Sequence, residues 1–142
     1  MITARGLRMQ KRSENEAIDA HTDVLLGDSM GEMFAWYSAA DVAFIGGSLL
    51  PFGSQNLIEA CAVGTPVLLG PSTYNFAEAA SEALTCGAAK TIVDADDLVR
   101  QAQALLNDAV TRSAMSNAGL SFARRHRGAT ARTMDLIARA VT

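Results

Sequence analysis

What the sequence lacks narrows its function first. There is no surplus of positive charge: 12 Lys and Arg stand against 15 Asp and Glu, a net charge of -3. A dedicated nucleic-acid binder would carry a strongly basic face, so that class is set aside. No apolar run approaches the roughly 18–20 residues that span a bilayer. The N-terminal "MITARGLRMQKRS" has no apolar core of the signal-peptide kind. The two cysteines, Cys61 and Cys86, follow no metal or redox spacing. In Ala-rich helical surroundings they read as free buried thiols of a reducing compartment, and the chain reads as cytosolic. His21 and His126 have no ligand-like companions, so neither a metal site nor a cofactor is expected. Nucleophile–base arrangements, the G-x-G-x-x-G dinucleotide fingerprint, repeats and low-complexity tracts are also missing. What remains is a chain of 142 residues, 49% hydrophobic, sized for one domain around a single core.

What is present is an alternation. "GLRMQ" (6–10), "TDVLLG" (22–27), "DVAFIGG" (41–47), "PVLLG" (66–70) and "AAKTIV" (88–93) read as strands. Three of them have uninterrupted apolar centres, the mark of strands covered on both faces of a parallel sheet. Helical patterns lie between and after them. "MGEMFAWYSAA" groups Met33, Phe34, Trp36 and Tyr37 on a wide apolar face. "NFAEAASEALTCG" is expected to open with Asn75 as N-cap and Glu78 completing a capping box, and to end at Gly87. "DADDLVRQAQALLN" opens at Asp94, with Leu98, Ala102 and either Leu105 or Leu106 as its buried stripe. A further helix is expected from Asp108 to Arg125, broken by Gly128. A last one would carry Met134, Ile137, Ala138 and Val141 on one face. The order implies an α/β layered fold whose ligand crevice lies beyond the C-terminal ends of the strands. Every glycine-rich segment falls at such an end.

Three of those segments carry polar groups. In "GDSMGE" (27–32), Gly31 would let an anion approach helix-start amides; equally, Asp28 or Ser29 simply caps the helix. In "GGSLLPFGSQN" (46–56), Gly46 and Gly47 clear space at a strand end, and Ser48 offers a hydroxyl at the mouth. Asn56 and Glu59 share a helix face, where a carboxylate can accept both hydroxyls of a ribose diol. A capping box explains Asn56 and Glu59 as well, but not the paired glycines. In "GPSTYNF" (70–76), Ser72 and Thr73 suit either an oxyanion or local turn hydrogen bonds. "RRHRG" (124–128) places basic groups at a helix end, where the dipole favours them; contact with an anionic partner is the other reading.

Taken in order, "GDSMGEMFAWYSAADVAFIGGSL" and "QNLIEACAVGTPVLLGPSTYNF" resemble the C-terminal domain of the 3-deoxy-D-manno-octulosonic acid (Kdo) transferases of lipopolysaccharide synthesis. The resemblance runs from about Gly6 to the C-terminus and is strongest from Leu26 to Phe76. It implies a Rossmann-like parallel sheet with helices on both faces, the C-terminal half of a GT-B fold lacking its first strand. One domain, residues 1–142, would bind the sugar nucleotide CMP-Kdo. The family's first C-domain strand, its basic P-R-H-P loop and its N-terminal domain would precede the matched region, so Met1 is expected to open a fragment. That N-terminal domain would carry the membrane anchor, the site for the lipid A precursor and the catalytic base. No catalytic residue is therefore expected in this chain. Transfer would invert the anomeric centre without a metal, at the cytoplasmic face of the inner membrane.

Residue by residue, Met30, Gly31 and Glu32 match the family's M-G-E near the nucleotide. Gly46, Gly47 and Ser48 match its G-G-S, and Asn56 and Glu59 its ribose-holding N-x-x-E. Asn75 and Phe76 match the N-F that follows its G-P. Amides near Gly31 and from Ser54 through Gln55 to Asn56 are expected to meet the departing phosphate. The chain departs from the family's frequent G-G-H-N, reading Gly53-Ser54-Gln55-Asn56, and has Ser72 where relatives often carry His. Gln55 can hydrogen-bond but carries no proton near neutral pH, which favours binding over acid–base work in this loop. A missing central strand would leave two inner sheet edges, to be closed by the flanking strands or by a second copy of the chain. Two other readings stand: a GT-B domain using a UDP-sugar, and a non-catalytic module binding an anion or a partner protein.

Overall fold

A computed structural model of the chain describes residues 2–126 and 128–140. Arg127 of the basic run and Val141 of the last helix's apolar set lie outside the described residues. The chain divides into two compact units, Met1–Trp36 and Tyr37–Thr142.

In the first unit β1 (Met9–Lys11) and β2 (Val24–Leu26) pair in parallel, Met9 opposite Val24 and Lys11 opposite Leu26. Parallel neighbours need a crossover of about a dozen residues, usually helical. Here the crossover holds only a 3-10 turn, Arg12–Glu14. Side-chain clasps shape the rest. Gln10 donates to the Ala17 carbonyl (3.2 Å) and accepts from the Asp19 N–H (2.8 Å) and the Thr22 hydroxyl. Helix α1 (Met33–Ala39) opens at the end of this unit's sequence, with Met33 and Phe34 exposed.

The second unit is a parallel sheet ordered β3 (Ala43–Phe44), β4 (Val67–Leu69), β5 (Ala89–Thr91). Its helices are α2 (Ile58–Ala62), α3 (Ala77–Thr85), α4 (Ala95–Asn107), α5 (Ala109–His126) and α6 (Ala129–Ala140). Successive residues of β4 point to opposite faces. Val67 and Leu69 join Leu57, Cys61, Ala83 and Phe122, while Leu68 joins Ile92, Leu105 and Met115. The double cover expected of the apolar strands is therefore met at β4. It is not met at β3, an edge strand whose Phe44 is 38% exposed.

Helix ends follow local chemistry. The Asp94 carboxylate accepts the Asp97 N–H at 2.7 Å, and Asp108 accepts the N–H of Thr111 at 3.0 Å. Gly87 and Gly128 take the left-handed backbone that stops a helix. In α4 it is Leu105, not Leu106, that is buried. One expected cap fails: α3 begins at Ala77 behind a 3-10 turn (Tyr74–Phe76), with no side-chain cap from Asn75 and no capping box with Glu78. The Asn75 amide is drawn elsewhere, as described below. On α6, Met134 and Ile137 are exposed.

Candidate functional site

The glycine-rich segments of the second unit gather at the C-terminal ends of β3 and β4. Beyond β3, the Ile45 N–H still donates to the Leu68 carbonyl (3.1 Å), and then Gly46 and Gly47 release the chain. It returns at Ser54 and Gln55, whose N–H groups donate to the carbonyls of Gly47 (3.3 Å) and Gly46 (3.0 Å). Residues 46–55 thus form a closed loop. Those two amides are occupied, which corrects the expectation that they are open to a phosphate. The return needs two consecutive left-handed residues, Gly53 (φ +82°) and Ser54 (φ +69°). For Ser54 this backbone costs about 1–2 kcal/mol, and its hydroxyl donates to the Gln55 carbonyl at 2.7 Å.

Ser48 differs from its expected place. It is 0% exposed; its hydroxyl donates to the Ile45 carbonyl (2.6 Å) and accepts the Gly70 N–H (2.9 Å). The hydroxyl is spent on joining two strand ends rather than open at a mouth. Gly70 must be glycine, because a side chain there would collide with the Ser48 carbonyl. The loop after β4 then fastens the first loop. Ser72 Oγ accepts the Gly53 N–H (3.0 Å), and the Asn75 N–H donates to the Gly53 carbonyl (3.1 Å). Asn75 Nδ2 donates to the Phe52 carbonyl (2.9 Å), and the Tyr74 hydroxyl to that of Pro51 (3.2 Å). Beside these bonds lies an open cavity of about 580 Å³, lined by Leu49, Leu50, Pro71, Thr73 and Tyr74 among others.

Asn56 and Glu59 do meet. Asn56 Oδ1 accepts the Ile58 N–H (3.0 Å), and its Nδ2 donates to Glu59 Oε1 (3.1 Å). The amide caps the turn into α2 and orients the carboxylate together. Both side chains sit in half-buried residues, and Glu59 Oε2 makes no hydrogen bond among the described residues. Burial, and then the Glu59 charge, push the Tyr37 phenol above its ordinary range.

In the first unit the loop 27–32 is braced from within. The Glu32 carboxylate receives the Ser29 hydroxyl and the Arg12 guanidinium (2.8 Å), which hold it below the usual carboxylate range, Ser29 contributing most. Asp28 accepts the N–H (2.9 Å) and hydroxyl (2.7 Å) of Ser13 and is lowered for that reason. At the start of α1 the N–H groups of Ala35 and Trp36 donate to the Glu32 carbonyl. At the apex Met30 is 96% exposed, and Gly31 (φ +81°) has nothing within 4 Å of where a Cβ would stand.

Comparison with known proteins decides which fold family this loop pair belongs to. Residues 5–122 match the family described as glycosyl transferases group 1. The chain belongs to that family. It is 47% identical over 137 residues to a 3-deoxy-D-manno-octulosonic acid transferase of Bordetella pertussis, covering 96% of this chain and 32% of that protein. It is 40% identical over 128 residues to the Haemophilus influenzae protein of the same name, covering 89% of this chain and 30% of that one. The chain thus spans about a third of the length of these relatives. Its structure matches the crystal structure of the C-terminal CMP-Kdo binding domain of WaaA from Acinetobacter baumannii, with a TM-score of 0.80 and 30% identity. That match covers 84% of this chain and 63% of that one. The resemblance read from the motifs holds, and the fold is α/β and Rossmann-like, as expected. Every candidate residue from Met30 to Glu59 lies inside the family match.

The loop-fastening roles of Ser72, Tyr74 and Asn75 were not legible from spacing. No local pattern signalled them, because the left-handed backbone at Ser54 that they support is itself seen only in the fold. Among the described residues no group of His, Cys, Asp and Glu is placed to hold a metal, and no helix is long and apolar enough to cross a membrane.

Proposed function

We propose that this chain is the donor-binding domain of a Kdo transferase, binding CMP-Kdo for transfer to a lipid A precursor. The observation that carries this is the Asn56–Glu59 pair: a half-buried carboxylate, oriented through one oxygen and, among the described residues, without a hydrogen bond at the other. Such a group accepts both hydroxyls of a ribose with little reorganisation. The names of the relatives and of the solved CMP-Kdo binding domain support the choice of nucleotide. Gly46 and Gly47 keep the strand end clear for the ligand, Ser48 and Ser54 hold the loop's path, and Gln55 offers an amide side chain at its surface. In the other unit, taken by itself, Met30 is an exposed apolar side chain beside the bare Gly31, and Glu32 braces that apex.

CMP is a good leaving group, so orientation and charge stabilisation are the tasks of this domain. The base that deprotonates the acceptor hydroxyl lies in the family's other domain, the inversion needs no metal, and this chain alone binds without turnover. The whole protein would act at the cytoplasmic face of the inner membrane. We further infer that a second copy of the chain is the partner for the edge of β3 that pairs with no strand among the described residues.

Calorimetric titration with CMP tests the assignment. The unmodified chain binds weakly, and Glu59→Ala weakens binding about tenfold or more, the loss of one charge-assisted contact pair. Equal binding by both proteins removes Glu59 from the ribose. Stronger binding of UDP than of CMP favours a UDP-sugar enzyme, and binding of neither favours a non-catalytic module.

A further inference from the structure

The bonds around Gly53 are concentrated on one short run of backbone. The carbonyls of Pro51 and Phe52, and both the N–H and the carbonyl of Gly53, each have a partner in the loop that follows β4. Ser72 and Asn75 grip the Gly53 residue from its two sides, at 3.0 and 3.1 Å. Immediately after it the chain makes its left-handed turn and delivers Gln55, Asn56 and Glu59. A Cβ on Gly53 would stand 2.6 Å from both Asn75 Nδ2 and the Tyr74 ring, so the two loops are closely fitted. The turn itself is costly, since Ser54 occupies a backbone region that side chains avoid. A strained turn persists only where neighbours over-determine it.

We infer that Ser72 and Asn75 are positioning residues for nucleotide binding: they touch no ligand, and they hold the Gly53–Ser54 turn so that Asn56 and Glu59 are presented in the binding geometry. This rests on the proposed CMP site and adds to it the element that keeps the site in shape before the ligand arrives. Asn75 has no capping duty to α3, so its side chain serves the turn. Ser72 supplies an acceptor, and an acceptor is what the Gly53 N–H requires.

The test compares the unmodified chain with Asn75→Ala, Ser72→Ala and Ser72→Thr, using CMP calorimetry and hydrogen exchange read peptide by peptide. Asn75→Ala and Ser72→Ala are expected to weaken CMP binding roughly five- to tenfold each, the loss of about one hydrogen bond from the site's support. Exchange in residues 48–57 should rise while that of α5 stays unchanged. CMP at saturation should restore protection in the same peptides. Ser72→Thr keeps the hydroxyl acceptor and is expected to regain most of the affinity, which a general loss of stability would not produce. If Asn75→Ala fails to fold, the Ser72 pair decides alone. Loosened exchange with unchanged CMP affinity overturns the positioning role, as does unchanged exchange in 48–57. An unmodified chain that ignores CMP overturns the functional reading and the inference with it. A chain that binds CMP equally well with and without Ser72 and Asn75 overturns the inference alone.

Discussion

At Ser54 a side chain occupies backbone space that glycine would take freely, at φ +69°. Removing the side chain relieves that strain. Ser54→Gly is expected to raise stability by about 0.5–1 kcal/mol despite losing the hydroxyl bond to Gln55, measured as a higher denaturation midpoint. A lower midpoint would mean that the buried hydroxyl matters more than the backbone. Cys61 allows a second test at this scale. It is fully buried, and burial pushes its thiol up to about 12. A thiol in that state is almost entirely protonated near neutral pH and inert to disulfide reagents. Native protein at pH 8 should therefore leave Cys61 unlabelled on a timescale where denatured protein exposes both thiols. Rapid native labelling of Cys61 would contradict the described core. The Ala-rich setting suggested burial of both cysteines, and this holds for Cys61 but not for Cys86, which is only partly buried. The left-handed Ser54 was not legible, because no local pattern distinguishes it from an ordinary loop serine.

Among the elements, α4 and α5 show how far local rules reach. Asp94 and Asp108 were readable as helix starts, and both act as caps in the structure. Asp97 lies in the first turn of α4, where its charge suits the helix dipole. In the fold it is 6% exposed and receives the Val93 N–H (3.0 Å), Gln101 (3.1 Å) and Arg100 (2.6 Å). Those bonds, Gln101 first, hold its carboxyl below the ordinary value of 3.8. A lowered folded pKa means that its contribution is complete above the unfolded value and is lost as pH falls through the folded one. Asp108, lowered by Thr111, behaves in the same direction. The melting temperature of the chain should therefore fall below about pH 4, and Asp97→Asn should melt several degrees lower near neutral pH with a flatter acid limb. An unchanged acid limb in Asp97→Asn would assign the loss to other carboxylates. The failed cap at Asn75 is the opposite case. α3 starts at Ala77, one residue later than that spacing requires, with Phe76 at its N-cap, and the Asn75 amide is turned to donate to the Phe52 carbonyl.

For the molecule as a whole, the strands form two parallel sheets, one in each compact unit. β3 pairs only with β4 among the described residues, and Phe44 beside that edge is partly exposed. Phe44, Leu68, Leu98 and Leu106 help to line an apolar groove of about 360 Å³ on the same unit. Unpaired strand edges with apolar neighbours promote association. The proposed pairing of copies through β3 predicts a sedimentation coefficient that rises with protein concentration and returns on dilution. A single species of monomer mass across the micromolar range would contradict it. The sequence by itself determined the strand and helix order, the parallel class, the caps at Asp94 and Asp108, and the family, because each is encoded in local periodicity or in short ordered motifs. Tertiary structure alone decided that Ser48 is a buried clasp, that Asn75 serves a loop rather than a helix, and that Glu59 keeps one oxygen without a hydrogen bond among the described residues. Those outcomes depend on which hydrogen-bond partners distant segments bring within about 3 Å, and spacing along one chain carries no information about that competition.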